Sequence, residues 1–352
     1  MAHRSALIVL MLCGFSESTG AQTYTAAGDL LFYGDNTEFA NPFREGETLL
    51  GASGRITLDV ALNKIVTLRG GIFGLGRFGA HTFLEQGEPV LALAIGDASS
   101  RFIFGSLETA ATRTAVAGPD VETLHGLLPP LQREQLTFSR GQEMGLQWLV
   151  DRPRLNHDLW INWQRLNTDQ HRERFDTGYR GAITVARALA LHGQWHLVHE
   201  GGQQFDSGAV SDSQAAALGI EWTGAAGAGQ VSLESHVVAT RHVPDRAQPL
   251  LTDAGLGSFT RVAWTRSRWR AHGVVWRSRD TLKAEGDPNY LSARRDGTMF
   301  RRVRDYGELG LTRHFSPAPG LHMFAAARLH RVESHYEYSY RIVARVRWLR
   351  PL

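Results

Sequence analysis

Apolar and polar side chains alternate with a period of two in segment after segment of this chain. Ile56, Leu58, Val60 and Leu62 interleave with Arg55, Thr57, Asp59 and Ala61. Met144, Leu146, Trp148 and Val150 interleave with Glu143, Gly145 and Gln147. In the last segment Tyr336, Tyr338, Tyr340, Ile342, Ala344, Val346 and Trp348 make one face, and Glu337, Ser339, Arg341, Arg345 and Arg347 the other. Successive side chains of a strand point to opposite sides, so each segment predicts a strand with one apolar and one wet face. Helical spacing fits none of them.

Sixteen such segments can be counted, the first at 27–34, the sixth at 134–150 and the last at 336–348. Their connections alternate in length. Tight ones fall at 63–64, 97–100, 151–156, 224–228 and 316–320; long ones fall at 35–46, 80–88, 110–133, 201–212, 242–257 and 281–303. An even number of strands with tight turns at one end and long loops at the other is the layout of an all-β, transmembrane, antiparallel up-and-down β-barrel. Composition agrees with it. A mean hydropathy of −0.24 excludes a helical membrane bundle, yet alternating faces average to this mild polarity. Aromatic residues add an independent sign. Trp148, Trp222, Trp264, Phe315 and Trp348 end strands on the tight-turn side, and Trp163, Phe175, Tyr179, Tyr336 and Tyr338 lie toward the other end. Rings of this kind prefer the two headgroup boundaries of a bilayer.

The N-terminus gives the compartment. Arg4, the apolar run Ala6–Phe15 and the small residues Thr19, Gly20 and Ala21 read as a cleaved secretory signal over residues 1–21. The barrel then covers 22–352. Cys13, the chain's single cysteine, lies in the signal, so neither a disulfide scaffold nor a cysteine-built zinc site is available.

On these features the chain resembles the Gram-negative outer-membrane β-barrels, and its plan is most similar to the sixteen-stranded diffusion porins. Two departures stand out: Trp148-type belts are present, but the chain ends Trp348-Leu-Arg-Pro-Leu352 rather than on an aromatic, and no acidic constriction-loop signature is found. The resemblance implies residence in the outer membrane and passive passage of small hydrophilic solutes, with anions or sugars favoured by a basic C-terminal wall. It also implies contact with outer-membrane lipids and lipopolysaccharide, assembly by the barrel-insertion machinery, and a monomeric or homotrimeric state. The alternative is a plugged barrel serving envelope integrity, surface attachment or polymer export; an outer-membrane lipid-modifying enzyme is a third reading, set behind the others on the geometry of its serine.

Residues alternating with the lipid face are expected to line the interior: Arg55, Asp59, Arg69, Glu143, Arg180, His192, His196, Glu221, Glu234, His236, Arg261, Arg270, His272, Arg328, Arg341, Arg345 and Arg347. Acidic groups dominate strands six to eleven and basic groups strands twelve to sixteen. Two readings stay open: a transverse field across a pore, or pairing between adjacent strands. The connection 110–133 carries Asp120, Glu122 and His125 beside Leu124, Leu127, Leu128 and Pro129-Pro130, and is expected to fold inward as a constriction.

Chemistry is not expected. Ser235 faces outward with no outward histidine at its depth, so it lacks a base. His192 and His196 lie roughly 13 Å apart along one strand at ~3.3 Å per residue, too far to share an ion. The glycine-rich run Gly70–Gly76 is followed by no helix. No cofactor or metal is called for, and the net charge of +3 gives no reason to expect a nucleic acid. The chain is thus read as a non-enzyme. The segment Asn41-Pro-Phe-Arg-Glu-Gly-Glu47 looks like a motif but carries no evident mechanism.

Overall fold

The computed structural model describes residues 22–82, 84–110, 112–113 and 123–352; residues 1–21, where a secretory signal is expected, lie outside them. Sixteen antiparallel strands close into one barrel in sequence order, with the first strand paired to the last. Three sheet neighbours matter most at one wall: β14 (Arg304–Ala318), β15 (Leu321–Val332) and β16 (His335–Pro351), closed onto β1 (Thr23–Ala40). Three more matter elsewhere: β9 (Leu189–Gly201), β10 (Ser211–Ala226) and β11 (Gly229–Val243).

The alternation works as the sequence predicts. Ile56, Leu58, Ile72, Leu218, Val237, Val275, Leu309, Leu329 and Ile342 are exposed, on the face that meets lipid. The Trp148, Trp222, Trp264 and Trp348 rings are exposed at one end, and Tyr336 and Tyr338 at the other. An apolar band with aromatic edges suits a bilayer, and the fold is that of an outer-membrane barrel.

Two segments differ from the sequence reading. β1 and β2 (Glu45–Ala61) run farther than expected, leaving only 41–44 between them. The expected strand 134–150 begins only at Met144. Residues 134–143 instead form a short turn of helix, α1 (Leu136–Ser139), inside the barrel. Leu136 and Phe138 are apolar because they pack on interior groups, with the Phe138 ring stacked on Tyr33 at 4.6 Å. The apolar lining of the lumen is therefore supplied partly by inserted chain. Leu107, Leu127, Leu128 and Leu131 cluster with Trp160, Phe259, Trp276 and Tyr290, residues from several walls and from the 280–303 connection.

Candidate functional site

Sequence-expected interior groups fall mostly into ion pairs. Arg69 is bidentate to Asp59, both bonds at 2.8 Å, and reaches Glu108 at 3.2 Å. Arg55 is buried, 3.4 Å from Gln142. Arg345 and Arg347 share Asp29, and Arg341 binds Asp35 at 2.8 Å. Arg328 is held by both oxygens of Glu134, at 3.0 and 2.9 Å, and Arg341 joins them at 3.0 Å. Glu234 lies 3.7 Å from Arg261, and His192 lies 3.1 Å from Glu221. His196 contacts the Leu131 carbonyl at 3.2 Å and Asp176 at 3.3 Å. Arg180 packs beside Gly126, His236 is buried and Arg270 is half-buried. The basic groups of the last strands are thus neutralised by Asp29 and Asp35 of β1 and by Glu134 of the inserted chain.

His125 is buried in that inserted chain, which sits within the lumen. Its two ring nitrogens lie 2.8 Å from Asp158 and 2.7 Å from Glu143, and the ring stacks on Trp160 at 3.7 Å. Burial alone would depress its pKa, but the two carboxylates outweigh that cost and raise it to about 9. Asp120 and Glu122 lie outside the described residues. The segment at 41–47 now has a structural account. The Asn41 side chain accepts from the Phe43 and Arg44 amides and donates to Glu337 at 2.6 Å. Arg44 pairs with Asp287 of the 280–303 connection at 2.7 Å, both side chains buried.

The most chemically organised group lies at the long-loop end, across β14, β15 and β16. Tyr306 and Glu308, His330, and Ser339 share the inward parity of three adjacent strands, and Glu308 stands directly opposite His330. Ser339 Oγ is 2.8 Å from His330 Nε2. His330 Nδ1 is 2.8 Å from the Tyr306 hydroxyl, which donates to Glu308 Oε2 at 2.7 Å. That one phenolic proton fixes the rest. With it spent on Glu308, Nδ1–H must donate to the Tyr306 oxygen, which leaves Nε2 as the acceptor for the Ser339 hydroxyl. This is the tautomer a general base needs. Glu308 is itself anchored by His272 Nε2 at 2.7 Å. Gly310, opposite His272, permits this: a Cβ there would lie 2.1 Å from the imidazole Cε1.

These groups border a small pocket that Arg44, Arg328, Arg341 and Asn289 also line. The pocket is therefore polar and roofed by inserted chain, its three guanidiniums set against the carboxylates of Asp35, Glu134, Asp287 and Glu308. Ser235, the serine weighed from sequence, has instead a neighbouring hydroxyl, Thr260 Oγ1, at 3.2 Å. Sequence reasoning sought serine and base on the lipid-facing wall and so passed over Ser339 and His330. Their shared inward parity was the available signal; their meeting across a strand pair was not.

Among solved structures the barrel is similar to a loop-deletion variant of OmpT, an outer membrane protein of Vibrio cholerae. The TM-score is 0.55 at 9% identity, covering 94% of this chain and 100% of that one. A trimer form of OmpT from Vibrio cholerae gives 0.54 at 10% identity, with 94% and 100% covered. The anion-selective porin of Comamonas acidovorans gives 0.54 at 6% identity, with 93% and 100% covered. Such identities show a common fold alone. No curated protein matches the chain. Residues 17–349, however, match a family described as Lipid A 3'-O-deacylase-type. That is an enzyme family, and it overturns the expectation of a non-enzyme. With nearly its whole length matched, the chain belongs to the lipid A 3'-O-deacylase-type family.

Proposed function

We propose that the protein is an outer-membrane ester hydrolase that removes an O-linked acyl chain from a lipid A-type glycolipid, with Ser339 as nucleophile. The observation that carries this reading is the hydrogen-bonded run Ser339–His330–Tyr306–Glu308. The family match supports the substrate class.

His330 Nε2 takes the Ser339 proton as Oγ attacks the ester carbonyl. The resulting imidazolium is stabilised through Tyr306 by the Glu308 carboxylate, in the manner of a serine–histidine–acid triad with a phenol inserted. The carbonyl π electrons move to oxygen, giving a negative tetrahedral intermediate, in a pocket where Arg44, Arg328 and Arg341 stand beside their carboxylate partners Asp287, Glu134 and Asp35. On collapse the C–O bond to the sugar breaks, and the departing alkoxide takes the proton from His330. Water then repeats the sequence on the acyl-enzyme, releasing a fatty acid and restoring Ser339.

The test is release of free fatty acid from purified lipid A by the refolded protein, read by mass spectrometry. Ser339→Ala and His330→Gln are expected to lower turnover by roughly 10³-fold or more while the barrel still folds. Wild-type rates in a folded Ser339→Ala barrel would remove Ser339 from the reaction.

Passive diffusion of small hydrophilic solutes is the second reading, favoured by a strand plan shared with an anion-selective porin. It asks for a water path through a lumen that the inserted chain fills.

A further inference from the structure

A second cluster lies away from this pocket, on β9, β10 and β11. His192 pairs with Gly219, and Gly219 pairs with His236, so the two histidines flank one glycine on the middle strand. The His236 imidazole leans over that glycine and meets the His192 ring with centroids 5.9 Å apart and planes at 76°. Only glycine allows it: a Cβ at 219 would fall 2.2 Å from His236 Cδ2. Glu234 stands two residues before His236, and Glu221 two after Gly219, so both carboxylates share the histidines' inward face.

The arrangement leaves matters unsettled without a cation. Glu221 and Glu234 are directly opposite across a strand pair, where like charges repel. The His236 side chain is fully buried, yet neither ring nitrogen has a hydrogen-bond partner. An orphaned buried imidazole is costly in the protein interior. Ligand atoms of His192, Glu234 and His236 lie within 4.8 Å of one another. Small side-chain rotations close that spread to the roughly 3.3 Å separations set by metal–ligand bonds of about 2.0–2.1 Å. Arg261 lies 3.7 Å from Glu234 Oε2, while Oε1 is the oxygen nearer His236.

We infer that His192, His236 and Glu234 form a binding site for a divalent transition-metal ion, with Glu221 beside His192 as an additional ligand. Two imidazoles with carboxylates suit zinc and its first-row neighbours, not calcium or magnesium. The other grouping of similar residues, Asp176, His196 and Glu285, makes an instructive contrast. There Arg140 at 2.6 Å and Arg174 at 3.0 Å already occupy Glu285, and His196 has two oxygen partners. Cations of the chain itself fill that site, whereas at His236 the ring nitrogens have no hydrogen-bond partner and Arg261 approaches the other oxygen of Glu234. The ion at His236 would brace three strands of one wall. His236 is also in ring contact with Phe259, and Phe259 with Tyr290, which packs on Tyr306 at 4.6 Å.

The site can be tested on the full barrel, refolded in detergent after chelation. Cobalt(II) alone is titrated and followed by visible d–d absorption, and zinc uptake is measured by elemental analysis. One equivalent per chain is expected, with a higher thermal unfolding midpoint when loaded. His236→Gln and His192→Gln should each weaken binding by more than the roughly 10–100-fold that loss of an outer-shell partner costs. His335→Gln, at a distant turn, serves as the control and should leave uptake unchanged. Because His236→Gln could disturb folding, the wild-type titration stands by itself. A folded wild-type barrel that takes up no stoichiometric ion overturns the proposal, as does uptake unaffected by the His192 and His236 substitutions. These readouts are independent of ester hydrolysis, so the two proposals fail separately.

Discussion

His125 shows how much one side chain depends on the company the fold supplies. Its sequence neighbours are apolar, and its carboxylate partners, Asp158 and Glu143, come from elsewhere in the chain. The folded pKa of about 9 lies above the ordinary 6.5, so the folded state holds a proton that the unfolded state releases between those values. The stabilisation is complete below about pH 6.5 and is lost as pH rises through about 9, a change of roughly 3 kcal/mol. Lys283, buried and depressed to about 7, works oppositely and gains stability for the fold as pH rises above that value. Comparing wild type with His125→Gln removes the Lys283 contribution. The difference in urea unfolding midpoint is expected to be largest at pH 6 and to shrink steadily toward pH 9.5. A difference that stays constant over this range would show that His125 is not charged in the folded barrel.

At the scale of elements, the inserted chain and the wall β14–β16 are fastened by Glu134. It lies between Arg328 and Arg341, with all three side chains buried or nearly so. Removing one partner from a buried ion cluster leaves the others uncompensated. Glu134→Ala should therefore destabilise the barrel by roughly 3 kcal/mol, with Glu134→Gln intermediate, as judged by denaturant unfolding. Unchanged stability would mean that Asp35 and Glu308 suffice for the two arginines. The same elements show what was legible beforehand. The two faces of β16 could be read from its clean alternation, which set Ser339, Arg341, Arg345 and Arg347 on the wet one. The segment 134–143 could not be read, because Leu136 and Phe138 look the same whether they face lipid or pack inside. The Ser339–His330–Glu308 group was hidden for a related reason. Parity tells which face a residue occupies, but not which residues on that face fall opposite one another.

For the whole molecule, strand number gives a barrel wide enough for a channel, and inserted chain takes that width away. Leu107, Leu127, Leu128 and Leu131 pack against aromatic residues of several walls, so inserted chain bridges the lumen there. In planar bilayers the purified, refolded barrel is expected to show no stable ohmic steps. Steady conductance in wild type would restore the diffusion reading and require a water path past the inserted chain.

The sequence by itself determined the barrel, its even strand plan, its lipid and wet faces and its place in the outer membrane. Those follow from a period of two and from where aromatic rings stand, and both are local properties of a strand. Whether the interior is open or filled was decided only in three dimensions, since a long connection does not announce which side of the wall it lies on. The tertiary structure likewise brought Ser339 to His330, Arg328 to Glu134 and His192 to His236. Each meeting depends on cross-strand register or on a folded-in loop, set by packing and pairing over the closed barrel and not by neighbours along the chain.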